Sequence, residues 1–177
     1  MDSPDNVRLE RVALHHGAAY VAMVTEHLTT IEGYPYNNYP LAQVDFAAFV
    51  QELNDEAQGI GLPDGIPPQR TYVLVSTGDV IVGEFRLRPE LKPPYDRYGG
   101  HIGYNIRPTY RRQGYATRGL ALLLDKARAA GLAEVCLMVD EENLASHHVI
   151  GRNGGVITHQ VAPDYRGLTT VCYGIAL

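Results

Sequence analysis

The spacing of apolar and polar positions changes several times along the chain, and each change predicts a different secondary structure. Apolar residues three and four positions apart predict helices at 15–28, 41–56, 114–130 and 143–152. Short β-branched or alternating apolar runs predict strands at 6–14, 71–76, 80–87, 101–106, 134–139, 156–162 and 169–176. The clearest element is the helix at 114–130, because its leucines share one face and Gly131 follows as a stop.

These elements follow one another in the order β-α-α-β-β-β-α-β-α-β-β. The residues at 76–79 lie between two strands and predict a hairpin turn. Because hairpin and crossover connections are mixed, the order is typical of an α/β or α+β fold with helices packed on one mixed sheet. The length of 177 residues is that of a single domain.

Composition and charge narrow the functional classes. Apolar residues make up 45% of the chain, so we expect a folded protein rather than a disordered one. A net charge of −5 argues against a globally basic nucleic-acid-binding protein. No apolar run approaches the roughly 18 residues of a membrane span, and the acidic first residues lack the apolar core of a signal peptide. We therefore expect a cytoplasmic protein that binds neither nucleic acid nor membrane.

The cysteines and histidines show no metal-binding pattern. Cys136 and Cys172 lie in apolar runs and are expected to be buried free thiols. The adjacent histidines at 15–16 and 147–148 would point about 100° apart on a helix. They are therefore not expected to share a metal ion, and the sequence predicts no metal site.

Basic and small residues cluster where the strand at 101–106 turns into the clearest helix. The turn contains Arg111, Arg112, Gly114 and Ala116. The first N–H groups of a helix lack partners within the helix, and the helix dipole adds partial positive charge there. A glycine lets a bulky anion approach the backbone, and the arginines add charged donors. The turn therefore predicts a phosphate or pyrophosphate site; the alternative is a solvated basic helix start.

The spacing Arg111-x-x-Gly114-x-Ala116 resembles the pyrophosphate-binding motif of the GCN5-related N-acetyltransferase (GNAT) superfamily. The order of elements around the motif also resembles that family over nearly the whole chain. The resemblance implies a GNAT-like α/β (α+β) fold, with a mixed, mostly antiparallel central sheet of about seven strands, four flanking helices and two splayed central strands. It further implies one N-acetyltransferase domain over residues 1–177, and dimers are common among such relatives.

The resemblance implies acetyl-CoA as the cofactor and CoA as the product. The pantetheine arm would pair with the backbone of Tyr104, Asn105 and Ile106, in the cleft between the splayed strands. Asn143 would contact the cofactor near the thioester, with Ser146 on the same helix face; alternatively, Asn143 is only a helix N-cap. The pyrophosphate would lie on the backbone N–H groups of Arg112, Gln113, Gly114, Tyr115, Ala116 and Thr117.

In this family an amine attacks the thioester directly in a ternary complex, without a covalent enzyme intermediate. Many relatives carry a tyrosine seven residues after the residue matching Asn143, and this tyrosine protonates the leaving CoA thiolate. Here that position is Ile150, which cannot donate a proton. Ser146 and His147 lie on nearly the same helix face and are the alternative acids; water is the third alternative.

Glu84 is the predicted general base, because a carboxylate in a central strand usually has a functional or structural partner. Its strand should neighbour the strand at 101–106; the alternative is a strand-end charge that reaches solvent. A backbone N–H near Ile106 would stabilise the oxyanion. The tyrosine- and proline-rich segment 34–40 would shape the acceptor pocket, unless it is a packed surface loop.

These residues favour an acetyl-CoA-dependent N-acetyltransferase whose acceptor amine the sequence does not identify. A non-catalytic acyl-CoA-binding sensor or regulatory module of the same fold is the alternative, because Ile150 replaces the usual acid. A transferase of longer acyl groups is a third hypothesis.

Overall fold

The computed structural model describes residues 3–30, 37–93, 99–162 and 167–177. The α-helices in these ranges are α1 (Gly17–Thr30), α2 (Tyr39–Val44), α3 (Phe46–Gln58), α4 (Tyr115–Ala129) and α5 (Leu144–Arg152). The strands are β1 (Arg8–Arg11), β2 (Arg70–Val75), β3 (Ile81–Leu87), β4 (Ile102–Ile106), β5 (Glu134–Asp140), β6 (Val156–Val161) and β7 (Thr170–Ala176). Their order confirms the predicted one, with one additional helix.

The strands form two hydrogen-bonded sheets, in the orders β1-β2-β3-β4 and β5-β7-β6, and every pair is antiparallel. The sheets meet where β4 and β5 begin. There the His101 N–H donates to Cys136 O at 2.7 Å, and the Cys136 N–H donates to His101 Nδ1 at 2.9 Å. In the described residues β4 and β5 form no ladder beyond this point, so a cleft separates them. The predicted seven strands and the splayed central pair are therefore confirmed. The predicted single mixed sheet is corrected to two antiparallel sheets in the described residues, because β4 and β5 are hydrogen-bonded only at their closed end.

Buried apolar side chains form two cores, one on each face of the first sheet. The larger core joins α4 and α5 to both sheets and includes Phe85 and Leu120. The smaller core packs α1, α2 and α3 against the first sheet and includes Phe49 and Val73. The molecule is therefore a three-layer α/β/α arrangement, and the cleft between β4 and β5 opens within the middle layer.

The predicted helix at 41–56 is divided into α2 and α3, which is the additional helix. Asp45 has φ −148°, outside the helical region, and its Oδ1 accepts the N–H of Ala48 at 2.9 Å. This capping bond competes with continuation of α2, because a short acidic side chain satisfies the first free N–H groups of a new helix. The prediction of one continuous helix was wrong for this reason.

The first strand is shorter than the predicted 6–14, since β1 ends at Arg11. Leu14–His16 form a 3-10 turn that leads into α1. The turn is held by the Ala13 N–H, which donates to His16 Nδ1 at 3.1 Å. Local side-chain-to-backbone bonding thus replaces the end of the strand.

Gly119 allows α4 to pack closely on β3. A Cβ atom at this position would lie 2.2 Å from Cζ of Phe85, whose ring is fully buried. We expect Gly119→Ala to lower the free energy of unfolding by about 1–3 kcal/mol, because the core must shift to admit the methyl group. Urea denaturation measures this change.

Gly151, in α5, is the matched control for that substitution. No atom lies within 4 Å of the position that its Cβ would take. Gly151→Ala should therefore raise the stability by about 0.5–1 kcal/mol, the usual helix preference for alanine. Equal effects of the two alanines would contradict the packing described for Gly119.

Candidate active site

The turn before α4 leaves a group of backbone N–H groups without partners. Arg112 has φ +62° and Gly114 has φ +89°, both in the left-handed region. Gly114 is the N-cap of α4 and makes no side-chain capping bond. Within α4, the first described N–H with a backbone partner is that of Arg118, which donates to Gly114 O at 3.1 Å. Within the described residues no acceptor binds the N–H groups of Arg112, Gln113, Gly114, Ala116 and Thr117.

The charge around this turn fits an anion. The first turn of α4 carries no acidic residue, and Arg112 and Arg118 are exposed beside it. Arg111 instead folds back, and its Nε donates to Ile106 O at 3.1 Å. Five free N–H groups, a helix N-terminus and two arginines form the arrangement that binds pyrophosphate in proteins. Tyr115 lies here too, with its side chain buried in the larger core.

A carboxylate from α1 holds the start of this turn. Glu26 accepts from Arg107 Nε at 2.6 Å, from the Thr109 N–H at 2.7 Å and from Thr109 Oγ1 at 3.2 Å. Burial favours the neutral acid, but these hydrogen bonds outweigh it and lower the pKa of Glu26. An ionised carboxylate therefore fixes the connection between β4 and the open N–H groups.

The strand β4 presents alternate backbone groups to the cleft. The Arg107 N–H donates to Val82 O at 2.9 Å, so odd-numbered positions face β3. The carbonyl of Asn105 also points towards β3, because its oxygen lies 2.9 Å from the position that a Cβ of Gly83 in β3 would take. The backbones of Tyr104 and Ile106 consequently face β5 and the cleft. The predicted backbone contact at Asn105 is corrected, because its N–H and C=O are directed at β3.

The Asn105 side chain belongs to a buried polar network that the sequence did not predict. Its Nδ2 lies 3.2 Å from the Tyr39 hydroxyl and 3.3 Å from His27 Nε2. Burial and the nearby Arg111 charge lower the pKa of His27 to about 4, so the imidazole is neutral at physiological pH. One signal was present, because His27 lies on the apolar face of α1 with Met23 and Val24, which are also buried.

Glu84 is fully buried at the centre of β3, directly opposite Asn105 of β4. The predicted neighbouring strand is therefore confirmed, and the alternative of a solvent-reaching charge is wrong. The carboxylate accepts hydrogen bonds from the Tyr20 hydroxyl, from Asn37 Nδ2 at 2.8 Å and from Arg86 at 3.2 Å. Burial, and then the negative charge of Glu84, raise the pKa of Tyr20 well above its usual value, so Tyr20 remains a donor.

At the start of α5, Asn143 is an N-cap whose Oδ1 accepts the Ser146 N–H at 3.1 Å. Both ring nitrogens of His147 are engaged, Nδ1 with the Tyr173 hydroxyl at 2.8 Å and Nε2 with Glu141 O at 3.2 Å. Neither ring nitrogen of His147 is therefore left to contact a leaving group. Ile150, one turn later, is fully buried in the larger core.

The side chain of Tyr104 brings a hydroxyl close to that of Ser146, at the start of α5. Its ring stacks on Phe85 with centroids 5.6 Å apart, and its hydroxyl oxygen is buried without a hydrogen-bond partner in the described residues. Burial raises the pKa of Tyr104, and the nearby Ser146 side chain opposes this shift without forming a hydrogen bond of normal geometry. Tyr104 was predicted only for its backbone, so its side chain is a functional group that sequence reasoning missed.

Glu10, His15 and His16 form a group of ligand-type atoms that lie within 4.8 Å of one another. The prediction that the side chains of His15 and His16 point apart on a helix was wrong. The two residues lie in a 3-10 turn, and their ring centroids are 3.9 Å apart. His16 Nδ1 accepts the Ala13 N–H, so its Nε2 carries the proton that it donates to Glu10 at 3.2 Å. A protonated nitrogen cannot bind a metal ion, and we assign none here.

Part of the segment predicted to shape the acceptor pocket, 34–36, lies outside the described residues. The described part supplies Asn37 to Glu84 and Tyr39 to Asn105, so this segment does reach the buried network. None of the described helices has the length and apolarity needed to cross a membrane.

The family profile of the acetyltransferase (GNAT) domain matches residues 6–156 of this chain. No curated protein matches the chain by sequence. A structure of RimL, a ribosomal L7/L12 alpha-N-protein acetyltransferase in complex with coenzyme A, is similar with a TM-score of 0.71 at 14% identity, covering 97% of this chain and 94% of that chain. The ribosomal-protein-S5-alanine acetyltransferase from Vibrio fischeri gives 0.72 at 13% identity, covering 97% and 93%.

A third similar structure is the microcin C7 self-immunity acetyltransferase MccE in complex with acetyl-CoA and AMP. Its TM-score is 0.70 at 13% identity, covering 98% of this chain and 93% of that chain. At these identities the likeness shows the fold, and the family is shown by the profile, which spans most of the sequence. The chain belongs to the GNAT acetyltransferase family and is an acetyl-CoA-dependent N-acetyltransferase.

Proposed function

We propose that this chain, as one catalytic domain, transfers the acetyl group to a primary amine by direct attack in a ternary complex. The observation that carries the proposal is the continuity of β4 with the open turn. The cleft-facing backbone of Tyr104 and Ile106 leads directly into the free N–H groups at 112–114, so one segment can hold both ends of the cofactor. Asn143 is proposed as a further contact, from the N-terminus of α5 on the other side of the cleft.

The protonation of Cys136 favours direct attack by the amine over a route through an acetylated cysteine. Cys136 lies at the closed end of the cleft, and its sulfur is in contact with that of Cys172. Burial and the neighbouring Cys172 raise the pKa of Cys136 to about 12, so the thiol stays protonated at neutral pH. Because the thiolate is the nucleophile in cysteine chemistry, an acetyl-cysteine route is disfavoured.

The backbone and the buried carboxylate supply two parts of the proposed chemistry. The Ile106 N–H faces the cleft and would stabilise the negative charge that develops on the thioester oxygen. Glu84 is the proposed base. Of its partners Asn37 is half-exposed, so an amine would reach the carboxylate by taking the place of the Asn37 amide.

The proposed acid is a hydroxyl at the start of α5. Ser146 is the group predicted from the sequence, and the Tyr104 hydroxyl faces the same place. A phenol is the stronger acid of the two even though burial raises the pKa of Tyr104, because an alcohol does not ionise in the accessible pH range. We expect Tyr104→Phe to lower kcat about 100-fold and Ser146→Ala to lower it less than tenfold.

The test of these two variants includes a readout other than activity. Tyr104→Phe should weaken binding of CoA several-fold by calorimetry and leave binding of desulfo-CoA, which lacks the thiol, unchanged. Tyr110→Phe, on the turn outside the cleft, is the control for loss of a hydroxyl. The assignment fails if Tyr104→Phe retains wild-type kcat, or if Ser146→Ala has the larger effect.

The proposed activity is tested with acetyl-CoA and a panel of amines, by following thiol release and the mass of the acetylated product. Peptides with free N-termini come first, because two of the similar structures are named for acetylating ribosomal-protein N-termini or alanine. Polyamines and small amines follow. CoA binding without turnover on any amine would favour the non-catalytic sensor instead.

A second copy of the chain is the proposed protein partner. The outermost strand of the second sheet, β6, is exposed from Val156 through Gln160, with Val156 67% and Ile157 55% exposed. Pairing of two β6 edges would cover these apolar side chains. Light scattering of wild type and Ile157→Lys decides this, since a dimer of this kind should become a monomer in the variant.

A further inference from the structure

The cysteines lie on neighbouring strands and share a face. Cys136 is in β5 and Cys172 in β7, where Met138 is directly opposite Cys172 in the antiparallel register. Side chains two positions apart on a strand point to the same side, so Cys136 and Cys172 are diagonal neighbours. The intervening positions, Leu137 and Tyr173, face the larger core. Both thiols therefore lie on the sheet face turned away from α4 and α5.

The sulfur atoms are in contact. Their separation is 2.8 Å, which exceeds a disulfide bond by only about 0.8 Å. Closing this gap requires the two sulfur atoms, which are already in contact, to move together by that amount. The two cysteines are reduced, and their sulfur atoms are close enough to form a disulfide.

The thiols differ in access. Cys136 is half-buried, whereas Cys172 is only 2% exposed. The expectation that both would be buried is therefore corrected for Cys136. A soluble reagent meets Cys136 first, and Cys172 is the neighbour that can act only on a sulfur already beside it.

We propose that Cys136 and Cys172 form an intramolecular disulfide by exchange with a soluble disulfide such as oxidised glutathione. Cys136 reacts slowly, because only a small fraction of its buried thiol is ionised; that thiolate attacks one glutathione sulfur, which forms a mixed disulfide and releases one glutathione thiolate. The Cys172 thiol loses its proton to solvent and attacks the Cys136 sulfur, which forms the protein disulfide and releases the second glutathione. Two protein thiols are oxidised, and one glutathione disulfide is reduced to two thiols.

The position of the bond gives it a structural consequence. Cys136 is the residue whose N–H and C=O are both bonded to His101, where β4 and β5 meet. A bond to Cys172 would tie this closed end of the cleft to β7. It would also shorten the unfolded chain by linking residues 36 positions apart, which should raise the melting temperature by roughly 5 °C or more.

The experiment incubates the full-length protein with oxidised glutathione at pH 8.5, where more thiolate is present, and follows intact mass and thiol alkylation after denaturation. The wild type should lose two hydrogens, keep no glutathione and offer no thiol to alkylation. Its melting temperature should rise, and a reducing agent should reverse both changes.

Single serine variants report the order of the steps. Cys172→Ser should stop at a stable mixed disulfide with one glutathione on Cys136. Cys136→Ser should react far more slowly, because the remaining thiol is buried. Glutathione retained on the wild type with a free Cys172, faster reaction in Cys136→Ser, or two alkylatable thiols after oxidation would each overturn the proposal. No readout uses acetyl transfer, so the result is independent of the proposed function.

Discussion

The double substitution Gly114→Glu with Ala116→Glu is expected to weaken binding of CoA at least 100-fold, about 3 kcal/mol. A Cβ atom at Gly114 would lie 3.4 Å from Cγ of Pro4, and the two added carboxylates beside the free N–H groups at the start of α4 would repel the pyrophosphate. A side chain at Gly114 must also adopt φ +89°, which costs about 1–2 kcal/mol of local stability. Isothermal titration with CoA measures the binding, and circular dichroism checks the fold.

The other end of α4 provides the matched control. Gly131 also has a positive φ, +87°, and no atom lies within 4 Å of the position of its Cβ. Gly131→Glu with Ala133→Glu, at an exposed position, changes the charge and the backbone strain by the same amounts but lies away from the turn before α4. This control should bind CoA like the wild type. Equal affinity of the folded Gly114 variant and the control would remove the turn from the binding site.

Glu84→Gln is expected to lower the free energy of unfolding by about 3–5 kcal/mol, because it removes the buried negative charge that pairs with the guanidinium of Arg86 in the core. Both side chains are at most 1% exposed, and they are joined at 3.2 Å. Tyr20→Phe removes a single hydrogen bond to the same carboxylate and should cost only about 1 kcal/mol. Urea denaturation compares the variants.

A second substitution separates the charge effect from the loss of packing. Adding Arg86→Met to Glu84→Gln removes both charges, and stability should recover much of the loss, since replacing a buried pair by uncharged groups is often nearly neutral. If Glu84→Gln stays within about 0.5 kcal/mol of wild type, the range of ordinary surface substitutions, the carboxylate does not balance the charge of Arg86. Its burial would then point to catalysis rather than to stability.

Local patterns predicted most of the fold, because strand alternation and helix periodicity are properties of neighbouring residues. The helix before Gly131 is an example, and so is the free turn at Gly114, whose chemistry is carried within a few residues. Asp45 was harder to interpret. A helix-breaking cap and a solvated acidic side chain look the same within an amphipathic run, and only the bond to the Ala48 N–H distinguishes them.

The side chains of the site depend on pairing that no local pattern contains. The direction of the Asn105 backbone follows from its register against β3, and its side-chain partners are 66 and 78 residues away in the sequence. Tyr104 is a second example. The sequence assigns it to the strand that lines the cleft, but its hydroxyl can act as an acid only because the fold places the start of α5 beside it. Residue type and spacing therefore predicted where the site is, and tertiary packing determined which groups face it.

The bonds of Glu26 to Arg107 and Thr109 have a kinetic consequence. They fix the connection between β4 and α4 from a separate helix, so the N–H groups that follow are already arranged before any ligand arrives. A preorganised receptor loses little conformational entropy on binding and needs no slow rearrangement. Association of CoA should accordingly follow a single exponential whose rate rises linearly with CoA concentration, and Glu26→Gln should add a slower, concentration-independent phase.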